Sequence, residues 1–234
     1  MGTLFVIATP IGNLDDISIR GIKTIFSVPV LACEDTRRTG MLLAELRKRH
    51  GSTMNLPEVN PKLLRFDDRG ELNGAIEIIT MLENGDSVGL VSDAGTPLVS
   101  DPGYVLISQA RKRNLRVESI PGASALLAAL TSSGLAADKF TFLGYPPEKE
   151  SHRIKLLNAI LESNKSLSAT YIFYCAPHKL LEMLQNMKDI LGNTHITIAR
   201  ELTKIHEEVW SGTIEDAQKS FSSPKGEIVL LFSL

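Results

Sequence analysis

The segment Ser92–Gly103, SDAGTPLVSDPG, follows directly on the apolar run Val88–Val91. It holds two Asp, two Gly, two Pro, two Ser and one Thr, with no Lys or Arg. Glycine loops after strands commonly cradle phosphates, and such cradles carry positive charge or open onto a bare helix N-terminus. This loop offers carboxylates instead. Asp93 sits at the strand tip, and both it and Asp101 are candidates for carboxylate contacts to a ligand. Each could also serve only to cap a turn or a helix, Asp101 above all, since Asp-Pro-Gly starts helices. Three further loops lie at strand ends: TPIGN (Thr9–Asn13), EDTRRT (Glu34–Thr39) and PGASA (Pro121–Ala125). Gly12, Gly95 and Gly122 let backbone approach a ligand or adopt positive φ.

Other chemistries find little support. Neither GxGxxG nor GxxxxGK[ST] occurs, there is no GxSxG elbow, and HEEVW at His206 does not complete HExxH. The five histidines (His50, His152, His178, His195 and His206) are scattered, and Cys33 and Cys175 are far apart, so no metal site and no disulfide framework is expected.

The elements that must position these loops follow from periodicity. Short apolar strands are expected at Leu4–Ala8, Val28–Cys33, Ser87–Val91 and Arg116–Ile120. Helices are expected between them: one capped by Asp16 and carrying Ile17, Ile22, Ile25 and Phe26; one carrying Met41, Leu42, Leu43 and Leu46; one over Leu72–Glu83 with Ile76, Ile79 and Leu82 on its core face; and one started by Asp101 and Pro102, spending Val105, Ile107 and Ala110 on the core. GSTMNLPEVNPKLL, with two prolines, reads as a surface loop. This alternation predicts a mainly parallel sheet with helices on both faces. Ligands in such sheets bind outside the carboxyl ends of the strands, where all four loops lie.

After PGASA the texture changes. A small apolar helix (Ser124–Leu130) precedes strands at Phe140–Leu143, Ala169–Tyr174 and Ile196–Arg200, and a late pair at Glu207–Ser211 and Glu227–Phe232 predicts an antiparallel portion. Helices are expected around Ile154–Leu161 and over Pro177–Leu191, the latter stopped by Gly192. The fold class is therefore α/β in two domains, residues 1–118 with a mainly parallel sheet and 119–234 with a mixed sheet.

The formal net charge of −2 argues against a general nucleic-acid coat but leaves room for a local RNA-docking face. Basic clusters occur at Arg37–Arg38, Arg47–Arg49 and Arg111–Arg116, which solvated helix faces also explain. A basic leader is lacking at the N-terminus, and no apolar run reaches membrane-spanning length, so a cytoplasmic protein without membrane attachment is expected.

Six blocks in order, ATPIGNLDDIS, ACEDTRRTG, SDAGTPLVSDPG, PGASALLAALTSSGL, FYCAPHKLLE and ARELTKIHEEVWSGT, resemble the tetrapyrrole methylase superfamily. Within it they are similar to the branch that methylates a ribose 2′-hydroxyl of a cytidine in the decoding region of 16S rRNA. The resemblance spans nearly the whole chain. It implies a homodimer of two-domain subunits, 16S rRNA in the 30S subunit as partner, and S-adenosylmethionine in the cleft between the domains. By family position the cofactor contacts are Pro10, Asp93, Ala94, Gly95, Thr96, Ser124, Ala125, Tyr174, Cys175 and Leu202. S-adenosylmethionine carries no phosphate, so its diol and ammonium groups call for acceptors rather than a basic cradle.

For the methyl transfer so implied, a base near the poorly acidic hydroxyl is expected to be Glu34 or Glu201. Arg37, Asp101, Arg200 and Lys204 are expected on the substrate side, Arg37 at an RNA phosphate; a structural ion pair between Arg200 and Glu201 is the competing expectation. Two departures from the branch stand out. RFDDRGELNG replaces a run with His and Asn, and the chain stops soon after GEIVLLFSL, where longer members carry an extension. A tetrapyrrole or small-molecule methylase, or a non-catalytic S-adenosylmethionine- or RNA-binding module, are the alternatives.

Overall fold

The computed structural model describes residues 1–234. It comprises two compact units, Met1–Ser124 and Ala125–Leu234, each with its own sheet and core.

The first unit runs β1 (Thr3–Ile7), α1 (Ile19–Ser27), β2 (Val30–Cys33), α2 (Thr36–Met54), β3 (Lys62–Arg65), α3 (Glu71–Glu83), β4 (Val88–Leu90), α4 (Tyr104–Lys112) and β5 (Arg116–Ile120). The five strands are ordered β3-β2-β4-β1-β5, and every pair is parallel. A parallel sheet must be covered on both faces, and alternation along the strands divides the apolar residues between them. In β2, Ala32 faces the cluster of Phe66, Ile78, Leu82 and Leu106, beneath α3 and α4. Its neighbours Leu31 and Cys33 face Ile22, Ile25, Leu43 and Leu46, beneath α1 and α2.

Several local expectations are corrected. Ser18, not Asp16, caps α1, accepting the Gly21 amide at 2.9 Å; Asp16 belongs to a 3-10 turn capped by Asn13. The stretch read as a surface loop contains the last turn of α2 and the edge strand β3, whose brevity and terminal Lys62 and Arg65 suit an exposed edge. Ile76 points outward from α3, whose buried residues are Ala75, Ile78, Ile79 and Leu82. The residue preceding α4 is Gly103, so Asp101 is not its cap. The boundary expected between 118 and 119 would cut β5, which pairs with β1 over Arg116–Ile120; the units divide after Ser124.

The second unit runs α5 (Ala125–Ser132), β6 (Phe140–Phe142), α6 (Glu150–Asn164), β7 (Thr170–Cys175), α7 (Leu180–Leu191), β8 (His195–Arg200), β9 (Glu208–Thr213), α8 (Ile214–Ser220) and β10 (Ile228–Ser233). Its sheet is mixed, in the order β6-β7-β10-β8-β9, with only β6 and β7 parallel. The expected antiparallel portion comprises the β8–β9 hairpin and β10, which inserts between β7 and β8. β10 is the central strand, paired on both edges, and Ile228–Phe232 are all buried. Phe173 and Phe232 stack at the centre of this core. The short α8, capped by Thr213, lacks a periodic signal of its own. No helix in either unit is long and apolar enough to cross a membrane.

Candidate active site

The carboxyl ends of β1, β2, β4 and β5 deliver the four polar loops of the first unit. Three are joined by direct hydrogen bonds. Thr9 and Gly95 form an isolated bridge, the Thr9 amide donating to Gly95 O at 2.8 Å and the Gly95 amide to Thr9 O at 3.1 Å. Gly95 holds φ +90 there, a conformation that a side chain would strain. The Thr96 hydroxyl donates to Ala123 O at 3.0 Å, tying the β4 loop to the β5 loop. The β2 loop is fastened to the same place by Asp93. Its carboxylate accepts the Asp35 amide at 3.3 Å and lies 3.2 Å from Arg38 Nη1.

Inside this frame lies a group of acids. Glu34 follows β2, Asp93 and Asp101 flank the loop after β4, and Asp68 comes from the turn after β3. One Glu34 oxygen, Oε1, is buried without a hydrogen-bond partner. Burial, then the charge of Asp101 and the weaker effects of Asp93 and Asp68, push the Glu34 carboxyl up to about 7, against an opposing hydrogen bond from the Asp93 amide. Burial likewise raises Asp101 to about 6, although the Ser92 hydroxyl favours its ionised form and Asp93 and Asp68 oppose it. A carboxyl poised near neutrality is what general-base work requires, and crowded carboxyls shifted by burial and by one another mark a candidate functional site. No group of His, Cys, Asp and Glu side chains has the arrangement to hold a metal ion.

Pro10 and Asp93 are half-buried, Ala94 is exposed, and Gly95 is buried in the bridge. Arg37 is almost fully exposed at the start of α2, where Asp35 caps the helix by accepting the Arg37 amide. Ser124 ends the first unit and Ala125 opens α5 of the second, both half-buried.

In the second unit, Tyr174 presents its ring to the edges of Phe142 and Tyr145. Cys175 is buried, and burial drives its thiol up to about 12. Leu202 is buried in the turn after β8. That turn is locked. Glu201 (φ +50) and Thr203 (φ +66) are left-handed, and Glu201 Oε1 accepts the Glu227 amide at 2.9 Å and Lys204 Nζ at 3.0 Å. These donors hold the Glu201 carboxyl below its usual range. Glu201 is thus spent on the turn, as is Lys204, which also reaches Glu227 at 3.1 Å. Arg200 pairs with Glu208 across the β8–β9 hairpin at 2.7 Å rather than with its neighbour Glu201.

Arg38, Asp68, Ser92 and Glu71 were not distinguished by sequence. Only Arg38 had a local signal: once α2 begins at Thr36, residue 38 lies in the first turn, beside the strand ends.

Comparison with known proteins agrees with this architecture. Residues 3–218 match the family model described as Tetrapyrrole (Corrin/Porphyrin) Methylases. The chain is 40% identical to "Ribosomal RNA small subunit methyltransferase I" of Synechocystis sp., over 100% of this chain and 79% of that protein. It is 37% identical to the protein of the same name from Thermotoga maritima, over 100% and 99%. Among solved structures, the methyltransferase CobJ superposes with a TM-score of 0.70 at 18% identity, covering 100% of this chain and 95% of that one. Diphthine synthase superposes with a TM-score of 0.70 at 16% identity, covering 99% and 90%. The chain belongs to the tetrapyrrole methylase family.

Proposed function

We propose that this protein is an S-adenosylmethionine-dependent methyltransferase that methylates the 2′-hydroxyl of a cytidine ribose in the decoding region of 16S rRNA, acting on the 30S subunit as a cytoplasmic homodimer. The names borne by its relatives at 37–40% identity support the rRNA substrate. The observation that carries the chemistry is the Glu34 carboxyl, poised at about 7 with one buried oxygen unpartnered.

The donor set fits the cofactor. A phosphate ligand would meet Glu34, Asp93 and Asp101 with repulsion, whereas a sulfonium cation and an ammonium group are drawn to them. S-adenosylmethionine, if bound here, would supply an electrophilic methyl group with a thioether as its leaving group, and the proton of the accepting hydroxyl would have to go to a base. Glu34 takes that proton: its Oε1 is buried and without a hydrogen-bond partner, and its carboxyl is poised near neutrality, whereas that of Glu201 is held below its usual range. Pro10, Asp93–Thr96 and Ser124 of the first unit are assigned to the cofactor; in the second, Ala125, Tyr174, Cys175 and Leu202 are assigned on family position alone. Arg37 is exposed and extended enough to meet an RNA phosphate. Holding both reactants in line accounts for much of the expected rate.

Calorimetry with S-adenosylmethionine, followed by methyl transfer to unmodified 30S subunits with mapping of the methylated nucleotide, tests the reading. Binding together with transfer to a cytidine 2′-oxygen supports it. Binding without transfer to 30S overturns it in favour of another acceptor or a non-catalytic role.

A further inference from the structure

Glu71 is the first residue of α3, yet its carboxylate serves α4. Its Oε1 accepts the amide of Gly103 at 2.8 Å and that of Val105 at 3.0 Å. Neither Gly103 nor Gly70, the residues preceding the two helices, has a side chain to cap with. One carboxylate thus stands at both helix N-termini, where each helix dipole favours negative charge. α3 itself is fixed from the other side. Asp67 pairs with Arg65 at 2.7 Å and accepts the Gly70 amide at 3.0 Å, and Gly74 lies so close over buried Phe66 that a Cβ would fall 2.8 Å from its ring.

The segment held by Glu71 is strained. Leu98 (φ 72) and Ser100 (φ 67) are left-handed without being glycine, and Gly103 sits at φ 135. Left-handed residues other than glycine persist only where their surroundings impose them. Asp101 lies within this segment, two residues before the Gly103 amide that Glu71 receives. Its charge acts on Glu34, as do those of Asp93 from the same loop and Asp68 from the turn before α3, and the strands that carry Glu34 and this loop, β2 and β4, are parallel neighbours. On its own element Glu34 is neighboured by Cys33, Asp35, Arg37 and Arg38, of which Arg38 is paired with Asp93.

We propose that Glu71 is a positioning residue for methyl transfer: by receiving the Gly103 and Val105 amides it holds the strained 98–103 segment so that Asp101 stays within electrostatic reach of Glu34. The proposal rests on the reading of Glu34 as the base. RFDDRGELNG then gains a definite task. Glu71 alone reaches the loop after β4, Arg65 and Asp67 fix the turn from which it reaches, and the stretch thereby acts on a residue with which none of the three forms a bond.

The test is a carboxyl-carbon NMR titration of Glu34 in the full-length protein without cofactor or RNA, assigned with Glu34→Gln. In Glu71→Ala the segment relaxes, Asp101 withdraws, and the Glu34 midpoint falls by roughly half a unit or more toward the ordinary carboxyl value. Glu71→Gln, whose amide oxygen still accepts, keeps the wild-type midpoint. Should Glu71→Ala fail to fold, Glu71→Asp, which keeps the charge but not the reach, takes its place with the same expected fall. A midpoint unchanged in both shortened variants overturns the proposal and leaves Glu71 a stabilising cap only. The acid limb of the kcat/KM profile for 30S methylation shifts by the same amount in the same variant. A wild-type protein that transfers no methyl group overturns the methyltransferase reading itself, which the NMR result alone does not decide.

Discussion

Asp93 joins two loops: its carboxylate accepts the Asp35 amide at 3.3 Å and stands 3.2 Å from the Arg38 guanidinium. The strand-tip aspartate therefore holds the β2 loop against the β4 loop while leaving lone pairs for a ligand. Asp93→Ala removes both attachments and is expected to weaken S-adenosylmethionine binding by roughly 1–3 kcal/mol, the cost of an unmade charge-assisted bond. Arg38→Ala removes only the half-exposed pair, worth about 1 kcal/mol or less. Calorimetry on the two variants ranks them. Equal affinity in wild type and Asp93→Ala makes Asp93 a structural tie alone.

Glu34 should trade stability for activity. Its folded-state carboxyl sits above the unfolded value, so the folded protein binds the extra proton more tightly. That contribution to stability is fully present below the ordinary value of 4.5 and is lost as pH rises through about 7. Asp101 acts in the same direction between 3.8 and about 6. Glu34→Gln is therefore expected to raise the melting temperature at pH 8, where wild type carries a poorly solvated charge, and to leave it nearly unchanged at pH 5. The same substitution is expected to lower kcat by about 10²–10⁴, the usual worth of a general base. A kcat that survives would remove Glu34 from the reaction.

What the sequence made legible was whatever repeats or punctuates. The alternation of apolar runs and helices identifies four of the five strands of the first sheet and all five of the second, and with them the polar loops at the carboxyl ends of β1, β2, β4 and β5. β3 was hidden because Pro57, Pro61 and the polar run before it read as loop, and because an edge strand needs only Leu63 and Leu64 for its packing. At the site, residue type and place at a strand end singled out Glu34, Asp93 and Asp101. Sequence could not tell which carboxylates were spent. Glu201 and Glu34 look alike in a string, and only the turn geometry shows Glu201 Oε1 taken by the Glu227 amide and Lys204. Glu71 was invisible for a related reason: its partners lie more than thirty positions away, and nothing local marks a side chain that caps another helix.

The turn after β8 makes a separate claim. Gly226 has φ +83, and a Cβ there would lie 2.6 Å from the Glu201 side chain. Gly226→Ala is expected to be destabilising on both grounds, by roughly 1–3 kcal/mol or more. Glu201→Ala removes the acceptor of the Glu227 amide, an exposed bond, and is expected to cost about 1 kcal/mol, the usual net worth of one hydrogen bond. Chemical denaturation measures both. If Glu201 were the base, Glu201→Gln would instead abolish methyl transfer at full stability, and that outcome would restore it to the reaction.

Arg37 offers the cleanest separation of RNA binding from cofactor binding. Its side chain is 93% exposed, and its only charged neighbour is Asp35 at 3.9 Å, so its removal should disturb little of the fold. Were it to meet a phosphate, Arg37→Ala would weaken 30S binding and reduce the slope of log affinity against log salt by about 1. S-adenosylmethionine affinity and melting temperature should be those of wild type. Salt titrations of 30S binding by the two proteins distinguish the outcomes. Parallel lines would place Arg37 off the RNA path, and a steeper line for the variant would mean that its charge opposes binding.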